Sequence, residues 1–292
     1  MINNIFLEQI KKYNPETIVD IKNAMKEVLQ DIILSGLAKS DFFKYVAFYG
    51  GTSLRIFRGL PRFSEDLDFT LIEEKNDFKL SDYFSFVKKE LDSLFIKYEI
   101  NDKTKSIITS VESSYFKFNL KELFEMTYPS YVNKIISNEI LSIKVEVEKN
   151  FFIGGVVETK LLTYPSFVQV KTFTIETLFS SKLIAILNRK WANRIKGRDF
   201  YDYLFYISKN TKINFEFLKN GLIKFGYEID NEYDINSLKK DLIKRFNEVD
   251  FENAKKDVLS FIKPNDPFIN AFNNDIFIST VDLLELIWFL KK

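Results

Sequence analysis

Apolar positions along the chain repeat with two periods, and the change from one to the other sketches an architecture. In residues 15–36, Ile18, Ile21, Met25, Val28, Leu29 and Ile32 follow helical spacing, with Pro15 suited to a first turn and Gly36 to a terminus. Tyr45-Val-Ala-Phe-Tyr49 is a short apolar run closed by Gly50-Gly51, the pattern of a buried strand. Thr52–Phe57 predicts a short helix that starts directly at those glycines. Glu65–Leu71 alternates polar and apolar with period two and predicts a strand. Phe84, Val87, Leu91, Leu94 and Phe95 give residues 81–96 one apolar helical face. Ser106–Leu120 is strand-like, and Leu141–Glu148 alternates cleanly, with Ile143, Val145 and Val147 opposite Ser142, Lys144, Glu146 and Glu148.

From about residue 172 the pattern turns helical. Ile175–Lys190, Arg198–Ile207, Phe215–Phe225, Ser237–Phe246, Phe251–Ile262 and Val281–Leu290 all favour helix. The expected organisation is a mixed α/β part over residues 1–171 and a helical part over 172–292.

Composition narrows the chemistry. The 292 residues include no histidine and no cysteine. That removes a Ser-His-Asp triad, a thiolate nucleophile, an imidazole base, disulfides and zinc-thiolate sites. Catalysis must rest on carboxylates, lysine, arginine, tyrosine, hydroxyls, backbone amides or a hard metal held by oxygen, which means Mg²⁺ or Mn²⁺. The net charge is +1, so bulk charge draws the chain to neither nucleic acid nor membrane. Its longest apolar runs fall well short of the ~18 residues of a membrane span, and the start, MINNIFLEQIKK, lacks the pattern of a cleaved leader. A cytoplasmic protein that does not enter the membrane is expected.

Gly50–Phe69, GGTSLRIFRGLPRFSEDLDF, concentrates the candidate chemistry. A strand that ends in Gly50-Gly51 and opens into a helix presents that helix's first N–H groups, and glycine lets a phosphate approach them. Thr52 and Ser53 add hydroxyls. Asp66 and Asp68 are two apart on the next strand, so both leave one face, joined by Ser64 if the strand starts that early. Two such carboxylates suit Mg²⁺, which sits between protein carboxylates and substrate phosphates. Separately, a double glycine is commonly a turn and Asp-x-Asp commonly a solvated face; their placement on adjoining elements joins them. No P-loop and no dinucleotide-binding spacing is present.

This segment resembles the first motif of the polymerase-β-like nucleotidyltransferase superfamily, and within it the AbiEii/AbiGii toxin family that includes the MenT-type toxins. The 14 residues between Gly51 and Asp66 exceed the usual superfamily spacing, a length the toxin branch tolerates. The resemblance implies an α+β fold, with a nucleotidyltransferase-like mixed sheet flanked by helices and a mostly helical C-terminal lobe. It implies a third carboxylate on a later strand, for which Glu146 is the candidate and Glu148 the competitor, with Lys144 as the basic partner. Without the resemblance, 142–148 reads equally well as an edge strand with a solvated charged face. The second part of the match is Lys182 on a helix, then a basic stretch, then Arg198-Asp199-x-x-Asp202. Between Lys171 and Phe205 seven basic residues stand against three acidic ones, which suits a triphosphate or an RNA backbone. On residues alone, Asp199 and Asp202 fit a solvated helix face with pairs such as Arg198–Asp202.

The resemblance implies that an NTP lies with its phosphates on Gly50, Gly51, Thr52, Ser53, Arg62 and Lys182, with Ser64, Lys144 and Arg198 also in the nucleotide site. Asp66, Asp68 and Glu146 would hold Mg²⁺, and Asp199 or Asp202 would position the nucleotide or take part in catalysis. Family members are toxins of toxin–antitoxin or phage-defence (abortive infection) pairs, so an RNA acceptor such as the tRNA 3′ end and a separate antitoxin protein are expected partners. The rival readings are an NTP-binding regulatory module without transfer, and an Asp-x-Asp sugar transferase using Mn²⁺; the glycine-headed helix ahead of the acids disfavours the latter.

Overall fold

The computed structural model describes residues 4–102, 110–151, 153–190, 195–230 and 232–289. In chain order the elements are α1 (Asn4–Lys11), α2 (Ile18–Ala38), α3 (Phe42–Tyr45), β1 (Val46–Tyr49), α4 (Gly50–Arg58), β2 (Leu67–Leu71), α5 (Phe84–Ser93), β3 (Glu99–Asp102), β4 (Val111–Asn119), α6 (Leu120–Thr127), β5 (Ile140–Glu148), β6 (Val157–Leu162) and β7 (Val168–Phe173). They continue with α7 (Ile175–Asn188), α8 (Gly197–Ser208), β8 (Ile213–Asn214), α9 (Phe215–Lys224), α10 (Ile235–Asn247), α11 (Phe251–Val258), α12 (Asn274–Thr280) and β9 (Leu286–Ile287). Contacts divide the chain into two compact units. The first comprises residues 1–53, 64–151 and 159–172, and the second residues 54–63, 152–158 and 173–292.

The first unit is built on a seven-stranded mixed sheet in the order β3-β4-β5-β2-β1-β7-β6. β1 and β2 run antiparallel, while β2 and β5 run parallel with Asp68 opposite Glu146. β5 is therefore interior, flanked by β4 and β2, which overturns the edge-strand alternative. Its alternation persists because Ile143, Val145 and Val147 are wholly buried while Lys144 and Glu146 stay half-exposed on the other face.

α2 starts later than Pro15, at a capping box in which Thr17 and Asp20 satisfy each other's backbone N–H groups. It also runs through Gly36 to Ala38. A Cβ on Gly36 would lie 2.5 Å from the Cα of Val87 on α5. The glycine lets two helices touch backbone to backbone and does not end the helix. The expected helix at 81–96 is a 3₁₀ turn over Leu80–Tyr83 followed by α5. Of Ser106–Leu120, β4 carries the strand from Val111, and residues 103–109 lie outside the described residues.

The second unit is mostly helical. α8 packs on α7 and α11, and Phe200, Tyr203, Phe246, Phe251 and Phe277 form its aromatic core, with Phe251 and Phe277 stacked at 4.4 Å. Where Val281–Leu290 predicts a helix, a 3₁₀ turn over Val281–Leu283 gives way to β9, which pairs parallel with β8. An apolar run this short does not distinguish helix from strand, and pairing with Ile213–Asn214 decides it.

Overpacking the α2–α5 contact tests this packing. Gly36→Ala should lower unfolding stability by about 1–3 kcal/mol in urea titration, and an unchanged midpoint would contradict so close an approach.

Candidate functional site

In the first unit, β1 ends at Tyr49 and the chain turns into α4 through Gly50, whose φ of +79° lies in the left-handed region. A Cβ at Gly50 would stand 2.7 Å from Oδ2 of Asp68. Glycine is required here twice, by the backbone angle and by the carboxylate lying against its Cα. Gly51 follows half-buried in the first turn. Thr52 and Ser53 are buried and face inward: the Thr52 hydroxyl donates to the Asp66 carbonyl, and the Ser53 hydroxyl meets Thr172 Oγ1 at 2.7 Å. Both hydroxyls therefore anchor the helix start to its neighbours, and the backbone is what this turn offers a phosphate.

Asp66 and Asp68 are half-buried on one side of the strand while Leu67 and Phe69 are wholly buried on the other. Ser64 is buried, and its carbonyl accepts a hydrogen bond from Gln30 Nε2 at 3.1 Å. Glu146, opposite Asp68 in register, is drawn to Lys144 Nζ at 2.5 Å. Burial works against the charge of Lys144, but Glu146, aided by Tyr115 and Asp66, outweighs it and raises the ammonium's pKa. Glu148 accepts from Asn150 N at 2.9 Å. Among the described residues no three acidic side chains are gathered into a metal-holding group. Asp68 and Glu146 stand opposite one another on paired strands, Asp66 lies two residues before Asp68, and Glu146 is paired with Lys144. The Asp66–Asp68 pair fits the hard-oxygen chemistry of a divalent cation, which uses one or two carboxylates plus substrate phosphates.

In the second unit, Asp199 and Asp202 project from the first turns of α8 and are almost wholly buried, which overturns the solvated-face alternative. Arg62 is 3% exposed and grips Asp202 with both ends of its fork, Nε to Oδ1 at 2.6 Å and Nη2 to Oδ2 at 2.7 Å. Its Nη1 donates to the Phe63 carbonyl at 2.8 Å. Lys182 on α7 bridges both aspartates, 2.8 Å from Asp199 and 2.9 Å from Asp202. Arg189 meets the other oxygen of Asp199 at 2.9 Å. Arg62, expected at a phosphate, is therefore placed as the clamp of Asp202. Arg198 lies with its guanidinium carbon 4.1 Å from the ring centre of Phe261. Arg194, counted in the basic stretch, lies outside the described residues. Asp257, which no local pattern marks out, accepts from Gly197 N at 2.9 Å; Lys196, the residue before that glycine, is hinted at only by the local excess of basic residues.

Burial pushes the Asp199 carboxyl up, and Lys182, Arg189 and Lys196 more than reverse this, holding it at about 2. Asp202 is held low in the same way by Arg62 and Lys182 against burial. A folded-state pKa below the ordinary 3.8 means that Asp199 stabilises the fold fully above that value and loses the contribution as pH falls toward about 2. Asp199→Asn should therefore destabilise the protein by about 3–5 kcal/mol near neutral pH. The difference should shrink as denaturation curves are taken to about pH 2; a pH-independent difference would contradict the charge assignment.

Comparison with known proteins places this geometry. The profile of the family described as "Nucleotidyl transferase AbiEii toxin, Type IV TA system" matches residues 32–274. No protein among the curated sequences matches. JHP933 from Helicobacter pylori shares the fold with a TM-score of 0.52 at 18% identity, over 90% of this chain and 91% of that one. MenT4, a nucleotidyltransferase toxin from Mycobacterium tuberculosis H37Rv, does so with a TM-score of 0.52 at 14% identity, over 94% and 87%. With the family match spanning both the glycine–aspartate segment and the Lys182–Asp202 segment, the chain belongs to the AbiEii family of nucleotidyltransferase toxins of type IV toxin–antitoxin systems.

Proposed function

We propose that this nucleotidyltransferase is Mg²⁺-dependent and transfers NMP from an NTP to an RNA hydroxyl, with the tRNA 3′ end as the acceptor. The observation that carries the reading is the Asp68 carboxylate lying against the bare Cα of Gly50, where a helix begins. That turn offers phosphate-binding backbone and a cation-binding carboxylate side by side.

The protein's own contribution is positioning and charge. The backbone of Gly50–Ser53 receives the phosphates, and Thr52 and Ser53 hold that backbone still. Asp66 and Asp68 would hold Mg²⁺, with Glu146 joining once Lys144 releases it. When bound, the metal supplies charge neutralisation at the reacting phosphate and activation of the acceptor hydroxyl. Lys182 and Arg198 supply cations for the polyphosphate. Asp199 and Asp202 orient Lys182, and Arg62 fixes Asp202. None of these roles requires a histidine.

Family membership supports a separate antitoxin protein as the cognate partner and a role as the toxin of a toxin–antitoxin or abortive-infection pair. Among the described residues no helix is long and apolar enough to cross a membrane.

Incubation with each α-labelled NTP, Mg²⁺ and total bacterial RNA, resolved on a gel, tests the reading. Label should enter the tRNA band, and Asp66→Ala and Asp68→Ala should each reduce transfer about a hundredfold or more. Undiminished transfer by a folded Asp66→Ala/Asp68→Ala protein would refute the site, and NTP binding without pyrophosphate release would refute the reaction.

A further inference from the structure

A strand with a neighbour on one side only leaves a row of backbone donors and acceptors that can template another chain. The seven-stranded sheet ends at β3 and at β6. β3 has four residues, two of them acidic, a length and charge that discourage pairing. β6 has six, Val157-Glu-Thr-Lys-Leu-Leu162, with no proline. Side chains leave a strand on alternate faces, so Val157, Thr159 and Leu161 share one face. All three are exposed, Val157 at 37% and Leu161 at 55%, and none is charged. Glu158 and Lys160 share the other face and are half-buried there, with Glu158 meeting Arg58.

The order of these residues decides what can pair with them. Two copies of one strand, joined antiparallel about a two-fold axis normal to the sheet, keep each side chain on its own face. Residues opposite one another must therefore differ by an even number of positions, and the axis passes through a residue. Centred on Thr159, Val157 lies opposite the partner's Leu161, Glu158 lies opposite the partner's Lys160, and Thr159 meets its own counterpart. Centring on Glu158 or on Lys160 sets like charges face to face, and centring on Leu161 puts Lys160 opposite the partner's Leu162. In one register, then, the strand complements itself: apolar against apolar, acid against base, threonine against threonine. The Glu158–Arg58 contact is compatible with this, since a carboxylate accepts from several donors.

We propose that β6 is a self-association edge, through which two copies of this chain pair antiparallel about Thr159 and join their sheets into one. The pairing uses no residue of the glycine–aspartate or Lys182–Asp202 segments and stands or falls apart from nucleotidyl transfer.

The chain has no cysteine, so single thiols can be placed in the full-length protein without competition. Thr159→Cys sets two thiols opposite one another at a Cα separation of about 4.5–5.5 Å, which a disulfide spans. Thr163→Cys, also exposed, would set its two thiols roughly 25 Å apart. Under mild oxidation Thr159→Cys should form a covalent dimer at least about tenfold faster than Thr163→Cys. Sedimentation velocity of the unmodified protein should show a monomer–dimer equilibrium between about 1 and 100 µM, as suits a small interface. Leu161→Lys should shift that equilibrium at least about tenfold toward monomer, with the circular dichroism spectrum unchanged. Equal cross-linking at the two positions, or a dimer that Leu161→Lys leaves intact, overturns the proposal. A protein that stays monomeric throughout the range also overturns it, and leaves the edge to a chain of another kind.

Discussion

Two aspartates, one helical turn apart and closed off from water, must both remain ionised, and much of the second unit is arranged to make that possible. A buried carboxylate without partners would take up a proton. Here the bidentate fork of Arg62, the bridging ammonium of Lys182 and the tip of Arg189 hold both charges in place. Such a network is costly to assemble and costlier to break at one member, since the remaining charges stay buried. Its use is orientation: Lys182 is held between two fixed acids and has little freedom to wander.

The first unit meets a different demand under the proposed reaction: a phosphate would need bare backbone and a metal would need carboxylates, the two close together. The left-handed turn at Gly50 brings the helix start against Asp68, while the inward-facing hydroxyls of Thr52 and Ser53 tie the same turn to Asp66 and Thr172. The Lys144–Glu146 pair keeps the third acid neutralised on the neighbouring strand.

What could be read from the sequence was local. The period-two alternation of 141–148 identifies a strand because side chains leave a strand on alternate faces, and the glycines before α4 mark a turn because few other residues accept its backbone angle. Which strands flank β5 was not legible, since pairing joins segments far apart in the chain. The partner of Arg62 was hidden for the same reason: Asp202 lies 140 positions away, and an arginine two residues from Ser64 reads as a phosphate ligand until its fork is seen closed. Gly36 misled because the same lack of a side chain that ends helices also lets them touch. The inward turn of the Thr52 and Ser53 hydroxyls depends on Asp66, just before β2, and on Thr172 in β7, and leaves no trace in the local pattern.

The last eighty or so residues carry no recognisable motif, yet they set where α8 can sit. A Cβ at Gly197 would fall 1.8 Å from the Ala254 carbonyl, Asp257 caps the same residue's amide, and the Phe261 carbonyl accepts from the amide of Phe63, next to Arg62. The tail is thus a keystone and not an appendage. A chain cut before residue 250 would retain every residue of the recognised motifs and lose the wedge that keeps the aspartate-bearing helix and the arginine in alignment.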